Sequence, residues 1–247
     1  MLKWIQTRLT ATLGTVLALA NSNANAAPLT VFSTDFAGVL PSQITLGGAT
    51  LTGVQGFAGR GPAGNRFGGS FLRSATGNVV TLKLSDLPAH DTISLAFLFA
   101  AIDSLDGTGT FPAGGFFKIV FDGATLFSES FTNAPPSQIQ SDVPPAGVEL
   151  ARHVDLGFTG PGSDYADSAY DLGADPRFAA FAHTASSAEI QFFIFGEGNQ
   201  DLNDESWAMG NLTVSVSTLG VLTPVPEPSS WALMAAELLA PGRFTPP

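Results

Sequence analysis

The sequence predicts an all-β protein, folded as a two-layer antiparallel β-sandwich of jelly-roll type. Three observations lead there. Apolar and polar residues alternate at period two in short runs bounded by Gly, Pro, Asn and Asp, the signature of half-buried strands. The 27 glycines and 17 prolines, beside only 13% charged residues, suit short strands joined by many turns. No run with helical periodicity appears in the body of the chain, so sheet must cover sheet.

In chain order, strands are expected at Leu29–Asp35, Ala49–Val54, Asn78–Leu84, Ile93–Ile102, Phe116–Phe121, Thr125–Phe131, Glu149–Gly157, Glu189–Phe195 and Ser206–Val216. The clearest pair is FFKIVF and ATLFSESF, joined by Asp122-Gly123, which is favoured chemistry for a two-residue hairpin turn. Ser94 to Ala101 (SLAFLFAA) is apolar on both faces, so it should be a central strand covered on both sides, by the other sheet or by a loop. Pro135–Pro145 is a Pro- and Ser-rich loop. A short helix could start at Asp175, where Pro176 suits a first turn.

The chain starts with Lys3 and Arg8 and no acid. An apolar run, Thr10 to Ala20, follows, and then the small polar stretch Asn21 to Ala27. A basic start, a short apolar run and the small-x-small site Ala24-Asn25-Ala26 predict a secretory signal peptide over residues 1–26, with Ala27 first in the mature chain. The run is too short to cross a ~30 Å hydrocarbon core. Its removal takes two of the ten basic residues and none of the 21 acids, leaving a net charge of −13. A surface that acidic repels nucleic acid and anionic lipid, which excludes both as partners. There is no cysteine, so residues 27–220 must be held as one domain by their apolar core alone.

Residues 221–247 form a separate tail. Val225-Pro226-Glu227-Pro228-Ser229, followed by Ser230-Trp231-Ala232-Leu233-Met234, resembles the PEP-CTERM sorting signal of Gram-negative exoproteins. The resemblance implies processing by an exosortase, a transmembrane helix and an arginine-rich end. This chain departs from that pattern, since Glu237 and Pro241 interrupt the apolar run and Arg243 is the sole basic residue after the motif. Spanning a bilayer takes roughly 20 apolar residues, so the tail is a degenerate signal or the product of a frameshift after Ala236. The protein is expected to be exported and released, in the extracellular, cell-surface or periplasmic space, with the tail uncleaved.

The body carries a second resemblance. Val79–Leu84 with Leu87–His90, then Ile102-Asp103-Ser104-Leu105-Asp106-Gly107, Phe116–Gly123 and Asp204-Glu205-Ser206-Trp207 through Leu212 are similar to a layout recurring in bacterial exoproteins, some with the sorting signal. It spans about residues 71–216 and implies a lectin-like or carbohydrate-binding-module-like sandwich. Leu105 stands where Trp is usual, and Gly210 where Asp is usual.

Two acidic loops are the candidate site. One holds Asp103 and Asp106, directly after the central strand. The other holds Asp201, Asn203, Asp204 and Glu205, with Asn199 nearby, directly before the last strand. Calcium needs six to eight oxygens on a bendable loop, and two adjacent strands would let both loops share one ion. The same residues equally cap turns. Asp164, Asp167 and Asp171, with Tyr165 and Tyr170, read as a solvated loop that could hold an ion or a sugar. Gly59 to Gly64 fits G-x-G-x-x-G, but no helix opens there, so it is a loop.

Catalytic signatures are missing. His90, His153 and His183 have no H-E-x-x-H spacing, and neither a G-x-S-x-G elbow nor the E-x-D-x-x-E motif of sandwich-fold endoglucanases is present. The expectation is a noncatalytic secreted or cell-surface protein associated with extracellular polysaccharide or biofilm matrix. Its alternatives are a secreted glycan-active hydrolase on the same sandwich and a purely structural matrix component.

Overall fold

Two antiparallel sheets face each other in a computed structural model that describes residues 27–108, 115–133, 138–158 and 166–218. The signal peptide, the sorting motif Val225–Ser229, Asp164 and Tyr165 lie outside those residues. The strands are β1 (Leu29–Thr34), β2 (Ile44–Thr45), β3 (Thr50–Gly53), β4 (Ser70–Ala75), β5 (Val80–Leu84), β6 (Thr92–Asp103), β7 (Phe116–Phe121), β8 (Ala124–Ser130), β9 (Glu149–Val154), β10 (Asp167–Asp171), β11 (Phe181–Ala182), β12 (Ala188–Phe195) and β13 (Glu205–Ser217). The first sheet runs β3-β4-β13-β6-β10-β9, with β1 added to β13 and β11 to β6; the second runs β2-β5-β12-β7-β8. Strands β4 to β7 alternate between the sheets, as a jelly-roll winding requires.

The main core lies between the sheets. Leu95, Phe97, Phe99 and Ala101 of β6 and Trp207, Met209 and Val214 of β13 meet Phe117, Ile119, Ile190, Phe192 and Ile194 from the second sheet. The rings of Phe99 and Phe117 approach to 4.3 Å between centroids. Each fully buried Phe is worth about 1.5–3 kcal/mol over an exposed one, which is how a chain without cysteine holds together.

The other face of β6 is covered too, and by loops. Leu98, Ala100 and Ile102 pack with Phe57 and Phe67 from the segment between β3 and β4, and with Leu156 after β9. That accounts for a strand apolar on both faces. The segment is a closed loop: Gly59 and Phe67 bond through N–H to O contacts of 2.9 and 3.0 Å, the second accepted by Arg60. Gly61 sits at φ 123°, where an added Cβ would lie 2.1 Å from the Asn65 carbonyl oxygen, so glycine there serves the turn.

The expected hairpin is β7–β8, and Asp122 and Gly123 both take positive φ, 47° and 81°, as a type I′ turn demands. Around Asp175 the chain forms two short 3-10 turns, Leu172–Ala174 and Pro176–Phe178, the second capped by the Asp175 carboxylate accepting from the Arg177 N–H at 2.9 Å. Among the described residues no helix is long and apolar enough to cross a membrane.

Four strands were not expected. β2, β4 and β11 lie where no strand was read, β4 pairing with β13. β10, read as a solvated acidic loop, is instead buried along its whole length beside β6. Its polar groups are hidden because they are partnered: Asp167 accepts from the Leu156 N–H at 2.8 Å, Ser168 donates to Asn133 at 2.6 Å, and the Tyr170 hydroxyl donates to Gln140 at 3.2 Å.

Candidate functional site

The acidic loops do come together. β6 and β13 are neighbours, with Glu205 directly opposite Asp103. Yet the carboxylates already have other work. Asp103 is buried, with an Arg73 Nη2 at 3.8 Å. Arg73 also donates to the Ser206 hydroxyl at 2.9 Å and the Leu202 carbonyl at 2.7 Å. Asp201 accepts from the Asn203 N–H at 2.8 Å, a turn-forming contact. Asp204 accepts from the Ser104 hydroxyl at 3.2 Å, and the Gln200 amide nitrogen donates to it. Asp106 accepts from Gln138 at 2.9 Å.

Glu205 is different, being 2% exposed. Burial first, then the Asp106 and Asp204 charges, push its carboxyl up to about 8. Burial also raises Asp106, and the Asp204 charge adds to that while the Gln138 hydrogen bond opposes it. Glu205 is therefore protonated at neutral pH, and a cation there would have to expel that proton. Among the described residues no group of three or more His, Cys, Asp or Glu is arranged to hold a metal ion.

The two departures from the exoprotein layout acquire structural reasons. Leu105 is 2% exposed and belongs to the core between the sheets, so this position offers no ring to a sugar. Gly210 lies under the Phe67 ring, 3.0 Å from where its Cβ would be. Here β13 passes from pairing with β4 to pairing with β1, and Asn211 takes φ 51° in the irregularity. Asn211 donates to Asn65 and to the Arg66 carbonyl, at 3.0 and 2.7 Å. A groove of about 450 Å³, lined by Ser33, Thr34, Asp35, Asn65 and Thr213 among others, opens at this seam. Its lining is mixed, polar and apolar, and its amides are already bonded, Asn65 donating to Asp171 at 3.1 Å while it accepts from Asn211.

The second sheet presents a different surface. On β7 and β12, Phe117, Ile119, Ile190, Phe192 and Ile194 point into the core, so the alternate residues point outward. Register puts Phe195 opposite Phe116, Phe193 opposite Lys118 and Gln191 opposite Val120. Phe195 is 56% exposed, and Val79, just before β5, is 41% exposed. Three phenylalanines thus share one outer sheet face, Phe195 exposed and Phe116 and Phe193 half-buried. Residues directly opposite have Cβ atoms about 4.5–5.5 Å apart, so Phe116 and Phe195 are neighbours on it. Both lysines of the mature sequence, Lys83 and Lys118, stand on this same face. Lys83 is bound to Glu189 at 3.0 Å. Sequence reasoning placed these strands but passed over their outer face, because FFKIVF and QFFIF carry Phe on both sides, so the pattern alone does not mark which rings stay outside.

No protein-family model matches the chain, and no curated protein matches it. Among solved structures, it is similar to a cycloisomaltooligosaccharide glucanotransferase from Paenibacillus sp. complexed with cycloisomaltoheptaose, at 16% identity and a TM-score of 0.28, over 71% of this chain and 17% of that one. A second likeness is dimeric latent PorU from Porphyromonas gingivalis, at 10% identity and TM-score 0.30, over 69% and 13%. A third is the Clostridium thermocellum endo-1,4-beta-D-xylanase 10B, in its CBM22-1–GH10 modules complexed with xylohexaose, at 7% identity and TM-score 0.24, over 74% and 28%. This chain spans less than a third of each of those proteins, and its fold stands on the strand pairings above.

Proposed function

We propose that this is a noncatalytic exported protein whose sandwich associates with neutral extracellular polysaccharide through the outer face of the second sheet. The observation that carries the reading is the group of Phe116, Phe193 and Phe195 on that face. Soluble proteins seldom expose aromatic rings in contiguous groups without a use for them, and a flat aromatic face matches the C–H-rich face of a pyranose ring. Gln191 and Lys118 beside it supply hydrogen-bond donors for hydroxyls. The net charge of −13 disfavours polyanions at long range, which directs the choice to neutral glycans. The noncatalytic part rests on a sequence without the H-E-x-x-H, G-x-S-x-G or E-x-D-x-x-E signature, and on Glu205, whose raised carboxyl is buried at 2% exposure, out of a substrate's reach. Export rests on the signal peptide pattern of residues 1–26, and a role for an exosortase on the Val225–Ser229 motif.

Co-sedimentation with insoluble neutral glycans, beside a reducing-sugar assay on the same samples, tests both halves. Retention without release of reducing ends is the expected outcome. Release of reducing ends would instead favour the hydrolase reading, and no retention on any glycan the purely structural one.

A further inference from the structure

At the end of the sandwich opposite the acidic loops, two histidines form an unbroken hydrogen-bonded chain. His90 Nδ1 lies 2.6 Å from the Pro88 carbonyl oxygen, and His90 Nε2 lies 2.7 Å from His183 Nδ1. His183 Nε2 lies 3.2 Å from an Asp122 carboxylate oxygen. The two rings lie end to end, their planes 22° apart and their centroids 4.9 Å apart, and Phe121 packs edge-on against His183. His90 is 6% exposed and the His183 side chain 7%.

Counting protons on this chain gives a definite answer. Both outer partners, a carbonyl and a carboxylate, only accept, so both outer nitrogens must carry hydrogen. The central N···N contact needs one hydrogen more, or two lone pairs face each other at 2.7 Å. That makes three hydrogens on four nitrogens, whereas two neutral imidazoles have two and two imidazolium ions have four. We infer that His90 and His183 form a binding site for one shared proton, and that the cationic pair so formed holds the Asp122 carboxylate of the second sheet at this end.

The contact joins the turn before β6 and the segment after β11, both of the first sheet, to the β7–β8 turn of the second. Charged groups surround it on each side. Asp122 accepts from His183 and, through its other oxygen, from the Glu189 N–H at 2.8 Å. Glu189 in turn holds Lys83, and Asp91 receives the His183 N–H on its carbonyl at 3.1 Å. The Asp122 carboxylate favours the cationic pair.

Long-range 1H–15N NMR of the wild-type protein near neutral pH tests the count directly, with the exposed His153 as reference. Three protonated nitrogens among the four of His90 and His183 are expected, and two would overturn the proposal. Urea unfolding of wild type, His90→Gln, Asp122→Asn and the double variant at pH 7 gives a second test. The two sites should couple, so that the double variant loses less stability than the two single losses added together. Additive losses would mean that no charge links the pair to Asp122, and would overturn it as well.

Discussion

Glu205 opens β13 with a buried carboxyl and two carboxylates as neighbours, Asp106 and Asp204. Because its folded value of about 8 exceeds the unfolded one, its contribution to stability is complete in acid and is lost as pH rises from roughly 4.3 towards 8. Glu205→Gln keeps the shape and removes the charge. It should raise stability above pH 8 by about 1–3 kcal/mol, the cost of an ionised group without enough partners, and flatten the profile below. Denaturant unfolding of both proteins at pH 6 and pH 9 measures this; equal stabilities at pH 9 would contradict it. The oxygen density of Asp201–Glu205 was plain in the sequence, and so was the neighbourhood of the two loops. What could not be read was the competition: Arg73 lies on a strand, β4, that the pattern did not reveal, and it takes Asp103.

At the scale of elements, the hairpin β7–β8 was legible because Asp-Gly permits a turn that few other pairs adopt. β10 was not, since Asp167, Ser168 and Asp171 look solvated until their hydrogen-bond partners are known. That β6 would be covered on both faces was legible from SLAFLFAA, but not which residues cover it, since the rings Phe57 and Phe67 come from a glycine-rich loop without periodicity. This outer layer on β6 has a measurable weight. Phe57 is wholly buried, against Phe67 at 5.4 Å and Phe71 at 5.8 Å. Phe57→Ala should cost about 3–5 kcal/mol. Gly210→Asp, which restores the residue usual in the exoprotein layout, should push on the Phe67 ring and cost about 1–3 kcal/mol. Both are read by chemical denaturation, and an unchanged midpoint for either would show that the layer yields freely.

For the whole molecule, the alternation, the turn residues and the missing cysteines were enough to reach a two-sheet sandwich. They were silent on which face would stay open, because that depends on where loops end up. On the proposed export, material recovered outside the cytoplasm should begin at Ala27, as N-terminal sequencing would show; an intact Met1 there would contradict it. Retention on neutral glycan should also persist at high salt, since stacking on rings is not screened as charge is. The most direct measurement compares wild type with the double variant Phe193→Ala/Phe195→Ala in co-sedimentation with insoluble neutral glycans, alongside thermal unfolding. These rings lie outside the core, so the unfolding midpoint should hardly move, while retention should drop at least tenfold. Retention equal to wild type in a folded double variant would contradict the account.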